Sequence, residues 1–190
     1  MIEVFRNWDQ TLEQYIYLHR FKGADSFLTW ATVNATYISF ALLFLLVIAY
    51  FFNKKQIYLY TALNAAVING ITALITGVLK ISIERPRPYE VNDLINTPLI
   101  NSGGFSFPSG HTTEVFALFF TIWFLLRNKF WTALFLFWAL LIAYSRMAFG
   151  VHYPVDILGG IFVSGVTVYF WLKYEPLKRW FKVEKVVKNI

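Results

Sequence analysis

Long apolar runs alternate with short polar breaks along this chain. Five stretches are almost uniformly apolar: Ser26–Phe52, Ile57–Lys80, Ser109–Leu126, Phe130–Arg146 and Pro154–Tyr174. Each approaches or exceeds the roughly 20 residues that an α-helix needs to cross a bilayer. Between the second and third lies Ile81–Pro108, which is polar and punctuated by prolines. Residues 1–22 follow a different pattern. There Phe5, Trp8, Leu12, Tyr15, Ile16 and His19 recur at helical spacing, with Glu3, Asp9, Gln10 and Glu13 elsewhere on the wheel. Such a helix lies in the interface plane of a membrane. It lacks the basic start and continuous apolar run of a signal peptide. A basic tail, residues 178–190, closes the chain. With no internal repeat and no linker, the pattern predicts one domain over residues 1–190. Its expected class is all-α: a polytopic membrane helical bundle of about five transmembrane helices, plus the N-terminal interfacial helix.

Composition supports that expectation. Of 190 residues, 57% are hydrophobic and only 15% charged, with a mean hydropathy of +0.52. A soluble domain of this size balances apolar and polar residues more evenly. The absence of cysteine excludes disulfides, thiolate metal sites and cysteine nucleophiles. A net charge of +6 suggests nucleic acid until the basic residues are located. They sit in short loops and a tail beside apolar spans, so the partners to expect are membrane lipids and no nucleic acid. With five spans, Lys54, Lys55, Arg127, Lys129, Lys173, Lys178, Arg179, Lys182, Lys185 and Lys188 share one side. Arg6, Arg20, Lys22, Lys80, Arg85, Arg87 and Arg146 share the other. The bias places the C-terminus in the cytoplasm and the Ile81–Pro108 loop outside.

The unusual polar residues all fall at outer span ends. Lys80 ends the second span, His111 and Glu114 open the third, Arg146 ends the fourth, and His152 with Asp156 opens the fifth. Interfacial anchoring by snorkelling side chains would account for any one of them. It predicts scatter over both faces, whereas these residues converge on one. Pro86 and Pro88 hold Arg85 and Arg87 in extended backbone, so Arg87 is displayed just beyond Lys80. A point cation and a forked one then meet the same anion. Arg85 reads as a third ligand or a solvated loop residue. Ser109 and Gly110 precede an apolar helix, where free N–H groups and the helix dipole favour phosphate, with N-capping as the simpler role for Ser109. His111 sits at the mouth of that seat. Pro154 favours a helix start, placing Asp156 on the same side as His152. A carboxylate on one ring nitrogen makes the other the better nucleophile.

These three segments resemble, in order and spacing, the signature of the type 2 phosphatidic acid phosphatase superfamily. The matching positions are Lys80…Arg87-Pro88, Pro108-Ser109-Gly110-His111 and Ser145-Arg146…His152…Asp156, without departure at any signature position. The resemblance implies a helical bundle with its site at the outer membrane surface. It implies that His152 attacks phosphorus to give a phosphohistidine, that Asp156 orients and polarises His152, and that His111 protonates the leaving oxygen. Lys80, Arg87, Ser109, Gly110 and Arg146 would hold the phosphoryl oxygens. Such a cage replaces a metal, and no Asp/Glu cluster of the kind that holds magnesium surrounds the motifs. No cofactor is expected. Glu114 is placed either to hydrogen-bond His111 or a substrate hydroxyl, or to favour the positive end of its helix. The loop Tyr89–Phe107, with Gly103-Gly104 as a flexible point, is expected to form a lid.

A transporter would place its charges near mid-bilayer or in broken, repeated helices. A vanadium-dependent haloperoxidase shares the signature but not the apolar spans. A lipid phosphotransferase would differ only in the acceptor that takes the phosphoryl group from His152. Within the family, the lipid phosphate substrates implied are undecaprenyl diphosphate, phosphatidylglycerol phosphate, phosphatidic acid and lipid A phosphates. An outward-facing site in a bacterial cytoplasmic (inner) membrane fits undecaprenyl diphosphate best.

Overall fold

The computed structural model describes residues 2–95, 100, 102–174 and 176–181. Among them all regular structure is helical. The helices are α1 (Ile2–His19), α2 (Asp25–Val33), α3 (Ala35–Asn53), α4 (Gln56–Ile83), α5 (Pro88–Val91), α6 (Gly110–Leu126), α7 (Lys129–Ala148) and α8 (Pro154–Tyr174). Four of these elements, α3, α4, α7 and α8, are long and apolar enough to cross a membrane, and α6 is a shorter apolar helix.

The helix α6 is the axis of the bundle and packs against α4, α7 and α8. Its 17 residues extend about 26 Å, and Val115, Ala117, Leu118 and Ile122 are fully buried. The neighbouring helices turn Tyr37, Phe40, Phe44, Leu74, Phe137 and Phe162 outward. An apolar belt of that extent suits lipid tails and would be a liability in water. Interhelical hydrogen bonds tie the bundle internally. Trp138 Nε1 donates to Ser39 Oγ at 3.3 Å, Ser164 Oγ to the Thr113 carbonyl at 2.7 Å, and Trp171 Nε1 to Asn64 Oδ1 at 2.7 Å. Such bonds contribute about 0.6–2 kcal/mol each within a bilayer. At Gly160, an added Cβ would lie 3.0 Å from the Ser109 carbonyl oxygen and 3.1 Å from Thr113 Oγ1. This glycine lets α8 press against the start of α6, and Ser109 N donates to the Asp156 carbonyl at 3.0 Å.

Two expectations from the sequence change. The run Ser26–Phe52 is not one helix, because α2 ends and α3 begins at Asn34. The Asn34 backbone N and its Nδ2 both donate to the Trp30 carbonyl, at 3.1 and 2.8 Å, so the side chain competes with the helical ladder there. The second change concerns α1. Its apolar residues Trp8 and Tyr15 are 47% and 59% exposed, whereas Asp9 and Glu13 are 2% and 0% exposed. An interfacial helix would be expected to offer those carboxylates to water. Instead α1 packs over α7 and α8 with its charged face inward, where the start of α8 and the side chain of Arg85 lie. The outward apolar face remains suited to the bilayer interface. In the tail, Lys178–Trp180 forms a single 3₁₀ turn. Lys182, Lys185 and Lys188 lie outside the described residues, as do residues 96–99 and 101 of the expected lid.

Candidate active site

Each residue singled out from the sequence sits at one end of the bundle. Lys80 lies in the last turn of α4, Arg87 precedes α5, and Ser109 to Glu114 open α6. Arg146 lies in the last turn of α7, and His152 and Asp156 flank the start of α8.

His152 is carried on the tight connection between α7 and α8. Gly150 turns the chain there at φ +67°, and a Cβ at that point would lie 2.2 Å from Ile95. The Arg146 carbonyl accepts from Val151 N and His152 N at 3.2 and 3.3 Å, closing the connection. His152 is 2% exposed and Asp156 0%. Asp156 Oδ2 faces His152 Nδ1 at 3.3 Å and accepts from Tyr153 N at 2.9 Å. On the other edge of the ring, Arg87 Nη1 lies 3.3 Å from His152 Nε2. Arginine carries donors and no acceptor, so Nε2 must present its lone pair and the ring proton must sit on Nδ1, donating to Asp156. Burial holds the His152 pKa well below its usual 6.5, and Arg146, Arg87, Lys80 and His111 reinforce the shift. His152 is therefore a neutral imidazole whose basic nitrogen faces the cations.

Those cations are held firmly. Arg87 Nε donates to the Gly104 carbonyl at 2.7 Å, Nη2 to Gly103 at 2.8 Å, and Nη1 to Val151 at 2.9 Å. The two glycines expected to loosen the loop thus bind its backbone to Arg87. Lys80 Nζ donates to the carbonyls of Phe105 and Ser106. Arg146 Nη1 and Nη2 donate to Thr32 Oγ1 and Ser102 Oγ at 3.0 and 2.7 Å, while its buried Nε has no partner among the described residues. The charges of Lys80, Arg87 and Arg146 bear on His111 as well as on His152, so both imidazoles belong to one electrostatic centre.

At the start of α6, Ser109 is fully buried in the N-cap position, and its hydroxyl accepts from Thr112 Oγ1 at 2.9 Å. Its N–H is taken by the Asp156 carbonyl. Gly110 lines a cavity of about 540 Å³ between α3, α4 and α6, together with Lys80 and Glu114. Glu114 Oε2 accepts from Thr36 Oγ1 at 2.8 Å, which anchors it to α3. The cavity reaches from Lys80 along α4 to Ala66, a distance of about 21 Å along the helix. Leu43, Ala73 and Leu118 make its deeper part apolar.

Sequence reasoning did not place Asp9, Glu13 and Tyr153 at the site and left Arg85 undecided. Arg85 Nη1 donates to Asp156 Oδ1 at 2.7 Å, Nη2 pairs with Asp9, and the guanidinium lies 4.0 Å from the centroid of the Tyr153 ring. It is an internal ion-pair partner rather than a solvated residue. The available signal was the spacing of Asp9 and Glu13, i and i+4, which stacks two carboxylates on one helix face.

Fold and site define a polytopic helical membrane protein with a histidine–carboxylate pair set among cations. The chain belongs to the PAP2 superfamily, whose profile matches residues 61–180. It is similar to the undecaprenyl-diphosphatase BcrC of Bacillus subtilis, at 33% identity over 64% of this chain and 61% of that protein. It is also similar to phosphatidylglycerophosphatase B of Bacillus subtilis, at 33% identity over 68% of this chain and 64% of that one. The chain thus spans less than two thirds of both relatives. Its fold resembles the solved transmembrane PAP2 type phosphatidylglycerolphosphate phosphatase of Bacillus subtilis, with a TM-score of 0.71 and 23% identity over 95% of this chain and 90% of that one.

Proposed function

We propose that this protein is a membrane lipid-phosphate phosphatase, acting in a single domain through a phosphohistidine on His152. The observation that carries the reading is the fixed tautomer. Asp156 accepts the hydrogen bond from Nδ1–H, so the Nε2 lone pair faces a cluster of three cations, where a phosphoryl group would sit. In the first step Nε2 bonds to the terminal phosphorus and the bond from that phosphorus to the leaving oxygen breaks, the lipid oxygen in a monoester or the bridging oxygen in a diphosphate. His111, protonated, gives its proton to that oxygen. In the second step water attacks phosphorus and the P–N bond breaks. His111 takes the proton from water, phosphate leaves, and both histidines return to their starting states. Lys80, Arg87 and Arg146 stabilise the phosphoryl oxygens throughout and supply the positive charge that a metal provides elsewhere. Ser109 and Gly110 shape the seat at the start of α6.

The cavity beside Lys80 and Gly110 supports a lipid substrate, since its apolar lining suits a hydrocarbon tail whose phosphate lies at the cations. Undecaprenyl diphosphate is the preferred candidate, in keeping with the name of the BcrC relative. Phosphatidylglycerol phosphate, phosphatidic acid and lipid A phosphates are the alternatives, and a phosphotransferase would use the same centre. The distribution of Lys and Arg supports a site on the periplasmic side of a bacterial cytoplasmic membrane, with the C-terminus in the cytoplasm. The test is phosphate release from a panel of these lipids with chelator present, with and without acceptor alcohols, beside His152→Ala. Activity abolished in His152→Ala and indifferent to chelator is expected. Full activity in that variant would overturn the mechanism.

A further inference from the structure

The N-terminal helix reaches the nucleophile through a continuous chain of contacts, although α1 lies outside the segment matched by the family profile. Asp9 Oδ1 accepts from Val155 N at 2.9 Å, satisfying one of the unpaired N–H groups at the start of α8. Asp9 Oδ2 pairs with Arg85 Nη2, and Arg85 Nη1 donates to Asp156 Oδ1 at 2.7 Å. Asp156 in turn accepts the hydrogen bond from His152 Nδ1–H. Asp9 and Asp156 are buried, and Arg85 is mostly so.

An arginine bound only to Asp156 would draw the carboxylate's charge away from His152, just where positive charge develops as Nε2 bonds to phosphorus. A second carboxylate on the far side of the guanidinium cancels that pull and leaves the hydrogen bond from Arg85 as an orienting contact. We propose that Asp9 is a positioning residue of the reaction: by balancing Arg85 and capping α8, it keeps Asp156 aligned and fully charged toward His152. The inference rests on the phosphohistidine reading above. It makes α1 part of the catalytic apparatus rather than only a membrane anchor.

The experiment uses the full chain in detergent micelles with a soluble short-chain lipid phosphate. Asp9→Asn and Asp9→Ser both keep an acceptor for Val155 N and remove the charge, and thermal melting of each verifies the fold. Both should lower kcat by about tenfold, as expected for an orienting partner, with KM within twofold. The direction of the pH shift separates charge from structure. His152 is faced by Arg146, Arg87, Lys80, His111 and Asp156, with Arg85, Asp9 and Glu13 behind Asp156. Removing a negative charge disfavours the protonated imidazole, so the acid limb of kcat/KM should move to lower pH. Mere loosening of α1 would admit water and move that limb up. Asp9→Glu should restore the limb and most of kcat. In an Arg85→Met background, adding Asp9→Asn should cause no further loss, because the coupling runs through Arg85.

An unchanged kcat and limb, an upward shift, or a further loss in the Arg85→Met background would each overturn the proposal. His152→Ala is measured beside them. If it stays active, the phosphohistidine reading itself fails. If it is inactive while the Asp9 variants match wild type, only the role of Asp9 fails.

Discussion

Replacing Asp156 by asparagine changes one atom and disturbs three donors. The carboxylate accepts from Arg85 Nη1 at 2.7 Å, from Tyr153 N at 2.9 Å and from His152 Nδ1 at 3.3 Å. Asparagine offers one oxygen and one NH₂. The charge-assisted bond to Arg85 is the shortest of the three and the strongest in kind, so the oxygen goes to the guanidinium. The NH₂ then faces Tyr153 N–H and His152 Nδ1. To avoid two donors meeting, the imidazole must shift its proton to Nε2, and there it meets Arg87 Nη1–H. The lone pair that should attack phosphorus is gone. Where an asparagine imposes the wrong histidine tautomer in a serine protease, kcat falls about 10⁴-fold, equivalent to about 5.4 kcal/mol of barrier. A fall in kcat of about 10³–10⁴ is therefore expected here. KM should stay near wild type, because Lys80, Arg87 and Arg146 are untouched. Steady-state phosphate release measures both, and trapping by an alkaline quench, which preserves the P–N bond, should show no accumulation of labelled phosphohistidine. A kcat within tenfold of wild type would refute the tautomer argument.

Further outcomes follow from the same geometry. Because the His152 pKa lies well below 6.5 and only the neutral ring attacks, activity rises with pH through that low pKa; the acid limb of kcat/KM should fall well below 6.5, and a limb at or above 6.5 would contradict the burial argument. Glu13 is buried without a hydrogen-bond partner among the described residues, and desolvation, helped by Asp9 and Asp156, raises its pKa from 4.5 to about 8. Between those values the folded chain holds a proton that the unfolded chain has released, so stability is full below pH 4.5 and falls toward pH 8, by at most about 1.4 kcal/mol per pH unit. Glu13→Gln should flatten the melting temperature between pH 5 and 8, and an unaltered slope would exclude Glu13 as its source. Gly150→Ala forces a Cβ into a left-handed position 2.2 Å from Ile95, so it should cost about 1–3 kcal/mol and lower kcat by displacing His152. Gly70→Ala, in open space within α4, should leave melting unchanged or raised, and equal damage from both would rule out local strain as the cause.

The parts of the site legible in the sequence are those whose chemistry is local. Lys80, Arg87, Ser109, Arg146, His152 and Asp156 stand beside prolines, glycines or span ends, so their types and spacing already mark an anion centre. The helices could be read because lipid demands long apolar runs. The break at Asn34 could not, since the run is apolar on both sides and the cause is a side-chain bond to Trp30. Asp9 and Glu13 could not be read either. On a wheel they form the polar face of an interfacial helix, and nothing local says that this face meets protein rather than water. Arg85 remained undecided for the same reason, as its partners come from residues 9 and 156, far apart along the chain.

The inward-facing carboxylates of α1 also bear on the order of assembly. Synthesis proceeds from the N-terminus, so Asp9 and Glu13 emerge long before Val155 and Asp156 exist to receive them. Until α8 has been made, the charged face of α1 can meet Arg85 but lacks Val155 N, which Asp9 caps, and Asp156. Complete docking of α1 thus follows the synthesis of α8. A ribosome-bound chain ending before Asp156 would hold Lys80, Arg87, Arg146, His111 and His152, yet lack the carboxylate that orients His152.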